Sequence, residues 1–348
     1  MSAQRQHLKR ALAEVLGRTG ALNLSRQLRE RWLGRPRLTI LCYHRIAEAG
    51  ALLSPQCVPA ALFDTQVGYF ARHLRVLPLS DVEAYLQGRL TLDRDAVVIT
   101  FDDGYKDNRD QALPILDRHG VKATFFLTST PVLDGRPIWI DELASLLEPL
   151  HGQPQALQAP LLPAAGPCIE AFMRAPQAEK APRAAAVFRV LNSLSEDEKF
   201  GVLAALRKMI ADAGRAPAES PALMTPEDVD ALLRSGHQVG VHTQHHARLA
   251  LLGPAAVDSE IRVACERLRA RFGAVPHFAY PFGKPEDLPQ DSASLRAVLS
   301  ACGFGLAVTT SDRAVSRRDD RFLVPRKVVS PQSLSQLRLK LEMLSWAR

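Results

Sequence analysis

Two adjacent acids and a pair of histidines are the groups in this chain most able to do chemistry together. Asp102 and Asp103 end the run Val97-Val98-Ile99-Thr100-Phe101 and are followed by Gly104. The run is β-branched and aromatic, which predicts a buried strand halted by a turn-forming glycine. Carboxylates at the C-terminal end of a strand stand where α/β folds put their chemistry. His242 follows 140 positions after Asp102, at the end of a second strand-like run, Val239-Gly240-Val241, and His246 comes four residues later. On one helical turn, or a loop entering one, such imidazoles share a side about 6 Å apart. That separation suits two nitrogens each reaching about 2.0–2.1 Å to one divalent ion. An acidic turn alone more often caps a helix, and a His pair alone is more often polar surface. Two histidines with a carboxylate, each following its own strand, point instead to a metal centre.

The elements that must position these groups alternate. Leu38–Cys42 reads as a first strand, ending in Tyr43-His44-Arg45. A helix over 59–75, a brief strand Val76–Leu79 and a helix from Ser80 through Leu86 precede the acidic strand. After it come a helix ending near His119, closed by Gly120, and an apolar strand Ala123–Leu127. Strands alternating with helices imply a parallel sheet with right-handed crossovers, closed or nearly closed into a barrel. From Asp134 to about Ala222 the alternation breaks down. Residues 152–167 are rich in Pro, Ala and Gln, and Ser195 with Glu198 forms a capping box for a helix to about Ala213. We read 134–222 as a mostly helical insertion covering one rim of the site. Thr225-Pro226-Glu227-Asp228 then starts a helix that Gly236 stops, and Ala255–Phe272 is amphipathic. Phe278–Gly283 carries a strand into a tight turn, Leu306–Thr309 and Phe322–Val329 are the last strands, and Ser330-Pro331 opens a C-terminal helix.

TFDDGY at 100–105 and HTQHH at 242–246 resemble the first two motifs of the polysaccharide deacetylases, the NodB-homology or carbohydrate esterase 4 family. The resemblance continues through YHRI at 43–46, FAYPFG at 278–283, AVTT at 307–310 and LVPRKVV at 323–329, in the expected order. It implies a distorted (β/α) barrel of about seven parallel strands spanning 38–348, interrupted by the insertion. It also implies a hydrolase that removes N-acetyl groups from a glycan or glycolipid with a divalent metal, zinc before cobalt or nickel. Asp103, His242 and His246 would be the ligands, leaving positions open for water and substrate. Asp102 would be the general base, and the backbone N–H of Phe282 would face the oxyanion.

Two departures from the family pattern matter. Its usual Arg in the third motif is Ala279 here, so Arg326 is the candidate to hold Asp102. No His follows His277, so the late family His that protonates the leaving amine is missing. His44 is then the candidate acid, expected across the metal from Asp102, with His245 next and His237 read as structural. Tyr105, Trp139, Tyr280 and Phe282 are the candidate substrate contacts, with Asp141, near Trp139 at the start of the insertion, a further one. Competing readings are a non-catalytic glycan-binding module of the same fold and a hydrolase of a non-sugar amide.

The hydrophobic content of 47% allows a substantial core. Five scattered cysteines without a CxxC pair suggest neither a disulfide framework nor a zinc ribbon, and fit a reducing compartment. No run approaches the ~18 consecutive apolar residues of a membrane span, and the N-terminus lacks the apolar core of a signal peptide. These features predict a cytoplasmic protein. Its net charge of +7 lies wholly in residues 1–37, which hold nine Lys or Arg and two acids, while the remaining 311 residues balance at 35 of each sign. Leu8, Leu12 and Val15, then Leu24, Leu28 and Trp32, fall at helical spacing there. This arm predicts two amphipathic helices with basic polar faces, lying either on an anionic membrane surface or against the barrel. Nucleic acid is not expected, because no aromatic-and-basic interleaving accompanies the charge.

Overall fold

The computed structural model of the chain describes residues 11–17, 19–32, 34, 36–47, 56–156 and 163–344. Leu8 of the expected first arm helix, and residues 157–162 of the expected loop, lie outside them. Residues 11–17 are helical, and α1 is Ala21–Arg31. The strands are β1 (Leu38–Tyr43), β2 (Arg75–Val76), β3 (Ala96–Phe101), β4 (Thr124–Leu127), β5 (Gln238–Val241), β6 (His277–Ala279), β7 (Leu306–Val308) and β8 (Lys327–Val328). Every residue of β1, β3 and β4 is buried, as expected of a parallel sheet covered on both faces.

The sheet runs β7-β6-β5-β4-β3-β1-β8, with all these pairs parallel. This is the distorted (β/α) barrel of seven strands. The short β2 shares one edge of β3 with β4: Arg75 pairs with Ala96 at its start, and Thr124 with Thr100 near its end. The expected strand Phe322–Val329 shortens to two residues. Pro325 has no N–H to give a ladder, so the segment splits its bonds between the two edge strands. Val324 donates to Ala307 and accepts from Thr309 of the β7 edge, while Val329 donates to Cys42 of β1.

The barrel helices are α2 (Ala60–His73), α3 (Ser80–Leu86), α4 (Leu113–Arg118) and α5 (Ser129–Asp134). The insertion adds α6 (Trp139–Leu147), α7 (Gly166–Met173), α8 (Lys180–Leu191) and α9 (Glu196–Asp212). These four pack around a hydrophobic cluster of their own, including Leu143, Ile169, Phe172, Val187 and Leu206. Ser195 caps α9 with Glu198 closing the box, and Thr225 with Asp228 does the same for α10 (Pro226–Arg234). Next come α11 (Pro254–Phe272), α12 (Ser292–Ala301) and α13 (Leu334–Met343). The last helix starts later than Ser330-Pro331, because Ser333 and Gln336 form its capping box.

Candidate active site

The chemistry-bearing residues converge at one rim of the barrel. His44 follows β1, Asp102 and Asp103 follow β3, His242 follows β5 and Phe282 follows β6, while Arg326, directly before β8, reaches them from inside the barrel. Four non-glycine residues among those described have positive φ, and all are here: Asp103 (78°), Thr243 (64°), His246 (61°) and Phe282 (60°). Such backbone is costly and persists where surrounding contacts over-determine it. Gly104 (φ +93°) cannot be replaced cheaply, since a Cβ there would come within 2.8 Å of Val132.

Asp103 Oδ1 lies 3.4 Å from His242 Nε2 and 3.2 Å from His246 Nε2. One ligand atom from each residue falls within 4.8 Å of the others, and all three side chains are buried. His242 Nδ1 is 2.8 Å from the Ala279 carbonyl. A carbonyl only accepts, so Nδ1 carries the proton and Nε2 presents a lone pair. Asp103 Oδ1 is buried without a hydrogen-bond partner. A carboxylate and two imidazoles converging on one point, with an orphaned oxygen among them, fit a divalent metal.

Asp102 faces a different neighbour. Arg326 Nη1 and Nη2 donate to its two oxygens at 2.6 and 2.7 Å, and the guanidinium is fully buried. Arg326 is itself oriented by Nε donating to the Thr309 carbonyl (3.2 Å) and Nη1 to Thr100 Oγ1 (3.1 Å). Burial alone would raise the Asp102 pKa, but the Arg326 charge, with His242, outweighs it and holds the carboxyl below its ordinary value. A ring nitrogen of His44, Cys42 Sγ and an Asp102 oxygen lie within 4.8 Å of one another. His44 therefore flanks Asp102 instead of facing it across the ligand triad. Burial lowers its pKa, against the pull of Asp103 and Asp102. With a guanidinium already on Asp102, this cluster is a poor place for a second cation.

The site opens into a cavity of about 680 Å³ between the barrel rim and the insertion. His44, Asp102, Asp103, His246 and Phe282 line one side, and Ile140, Asp141 and Phe188 the other. Tyr105 lies between them, its hydroxyl donating to Asp141 at 2.8 Å. Burial pushes Asp141 up to about 7, with Tyr105 opposing and the charge of Asp103 adding.

Two expected substrate contacts are corrected. Tyr280 is 1% exposed, packs on Phe278, and donates to the Phe322 carbonyl, so it belongs to the core. Trp139 is also buried, stacked on Phe188 at 5.6 Å with Lys199 Nζ 4.6 Å from its ring centre. Its indole N–H donates to the His246 carbonyl (3.3 Å), so it holds the histidine loop and not a ligand. His245 is taken by Glu260 at 2.6 Å, and His237 accepts from the Ala123 amide.

Sequence reasoning missed Thr100 and Cys42 as parts of the site. A strand's period of two would have flagged both. Thr100 is two residues before Asp102, Cys42 two before His44, and they pair across β1 and β3. The Cys42 thiol donates to Asp102 at 3.4 Å. Asp141, read beside Trp139 as facing substrate, lines the cavity because the insertion packs over that rim.

Comparison with protein families matches the polysaccharide deacetylase family over residues 89–148 and 182–304, more than half of the chain. Among curated proteins, YxkH of Bacillus subtilis (strain 168), which carries the name of a polysaccharide deacetylase, is 36% identical over 101 residues. That alignment covers 26% of this chain and 32% of YxkH, so it spans about a third of the relative's length. Among solved structures, IcaB from Ammonifex degensii superposes with a TM-score of 0.56 at 19% identity, covering 88% of this chain and 98% of that one. The Streptococcus pyogenes deacetylase PplD, solved with acetate, gives 0.55 at 17%, covering 88% and 99%. A de-N-acetylase from Aggregatibacter actinomycetemcomitans gives 0.53 at 15%, covering 88% and 100%. At these identities the likeness to the solved structures is one of fold.

Proposed function

The chain belongs to the polysaccharide deacetylase family, and from that premise we propose that it hydrolyses N-acetyl groups from an N-acetylated glycan, whether exopolysaccharide, envelope glycan or lipid-linked precursor. The observation that carries this reading is the pairing of two adjacent carboxylates with different partners, Asp103 with two histidines and Asp102 with Arg326. Asp103, His242 and His246 would hold the divalent ion, zinc first and cobalt or nickel as alternatives. Such an ion activates water and polarises the acyl oxygen. Asp102, kept ionised and oriented by Arg326, accepts the proton of the attacking water. The Phe282 backbone N–H is assigned to the developing oxyanion. His44 is the expected donor of a proton to the leaving amine, but its place beside Asp102 and its lowered pKa do not favour that role. Tyr105 and the Phe282 ring contact the sugar from the cavity wall.

Acetate release from a panel of N-acetylated chitooligosaccharides and envelope-glycan precursors, with added zinc or cobalt, tests the proposal. Turnover that chelation abolishes and metal restores is expected. Glycan binding without acetate would replace it with the non-catalytic reading, and release only from simple amides with the non-sugar one.

Trp139→Phe provides a check on the metal centre itself. Phenylalanine keeps the stack on Phe188 but removes the N–H that holds the His246 carbonyl. Metal affinity, read by competition with a chromophoric chelator, is expected to fall about tenfold or more, the usual cost of losing an outer partner of a ligand. Unchanged affinity would show that the loop holds its shape without the indole.

We further propose a cytoplasmic location, peripheral at the inner face of the membrane, with contact through residues 1–37. Among the described residues no helix is long and apolar enough to cross a membrane.

A further inference from the structure

The arm is amphipathic in the opposite sense to the one its composition suggests. The charged side of α1 faces the barrel. Arg26 is buried, paired with Glu30 at 3.1 Å and donating to the His73 carbonyl. Arg29 grips both oxygens of Asp95 and also reaches Glu342 of α13 at 3.2 Å. Glu30 accepts from the Asp95 amide, and the Arg37 amide donates to the Asp95 carboxylate. With its polar face tied down, α1 turns an apolar stripe outward: Leu24, Leu28 and Trp32, at i, i+4 and i+8, are 59%, 47% and 82% exposed. Leu12, Val15 and, on the adjoining α13, Met343 are exposed as well. Six of the nine exposed large hydrophobic side chains among the described residues therefore belong to this arm and the helix beside it.

An exposed apolar stripe of this kind marks a surface that something covers. Charge identifies the occupant. Arg31 stands exposed next to the stripe, and Arg5, Lys9, Arg10, Arg18 and Arg35 bracket it in sequence, with Glu14 and Glu30 the arm's only acids. Apolar side chains including a Trp, flanked by basic residues, fit the headgroup boundary of an anionic bilayer.

The arm lies along the side of the barrel. Asp95, which α1 grips, immediately precedes β3 at the end away from the site, while Glu14 accepts from Ser333, which follows β8 and caps α13.

We propose that the outward apolar face of α1, and not a basic polar face, docks on an anionic lipid surface. This assignment stands on the arm alone.

The test uses the full chain. Co-sedimentation with phosphatidylcholine vesicles, with and without phosphatidylglycerol, is compared for the parent and for Leu28→Ser/Trp32→Ser, positions whose exposure leaves the fold intact. Pelleting with anionic vesicles, and a loss of about tenfold or more in the variant, is expected from removing two inserting side chains. Equal pelleting of both proteins would overturn the docking face. So would a dimer seen by analytical ultracentrifugation without vesicles and abolished by the variant, since the stripe would then be an interface between copies.

Discussion

Asp102→Asn is expected to bind zinc like the parent and to release acetate about 10²–10⁴-fold more slowly, the usual contribution of a general base. Asparagine has nearly the same shape and can still accept one hydrogen bond from Arg326, but it cannot take a proton from water. The metal should remain because Asp103, His242 and His246 converge without help from Asp102. Zinc content by equilibrium dialysis separates the two effects, with acetate release measured on the same sample. Near-parental turnover would mean that another group accepts the proton, and His44, beside Asp102, would be the first to examine.

Arg326→Met should damage both stability and rate. The guanidinium is wholly buried and makes four hydrogen bonds, two of them to Asp102. Removing one partner of a buried ion pair leaves the other uncompensated, a loss of about 3–5 kcal/mol in unfolding free energy. The direction with pH follows from the depressed Asp102 pKa. In the parent, Asp102 contributes stability above the pKa of an unfolded aspartate and loses it as pH falls through its lower folded value. Without Arg326 the folded pKa rises, so the base becomes protonated at higher pH. The acidic limb of kcat/KM should therefore move upward, and the variant should recover part of its activity at alkaline pH. Arg326→Lys keeps a charge but not two parallel bonds, and should lower turnover while retaining metal. A variant with unaltered stability and pH profile would mean that Asp102 needs no partner.

Much of the architecture was legible because it depends on local runs. Val97 to Phe101 reads as a buried strand and forms one, and Ser195 with Glu198 marks a helix start that is present. Ends were less legible. Phe322–Val329 has strand composition, yet Pro325 and the need to serve two edges leave two residues of ladder. The mid-chain insertion was legible as a loss of alternation, but its separate hydrophobic cluster was not, since that depends on which helix faces meet.

By itself the sequence determined which residue types could meet at a metal, because ligand chemistry belongs to side chains, Asp103 and His242 each follow a readable strand, and His246 lies four residues beyond His242. It also determined the parallel α/β architecture, through strands and helices whose apolar patterns are local. Only the tertiary structure decided where side chains point and what lies beside them. Arg326 meets Asp102 across 224 positions because β8 and β3 flank β1, a neighbour relation no local pattern encodes. Trp139 turned inward to the His246 carbonyl, and Asp141 entered the cavity, because the insertion packs over that rim. The arm's spacing foretold a helix with one apolar side, but Asp95 and Glu342 decided which side faces out. Buried ion pairs formed with distant acids outweighed the exposure of Leu24, Leu28 and Trp32.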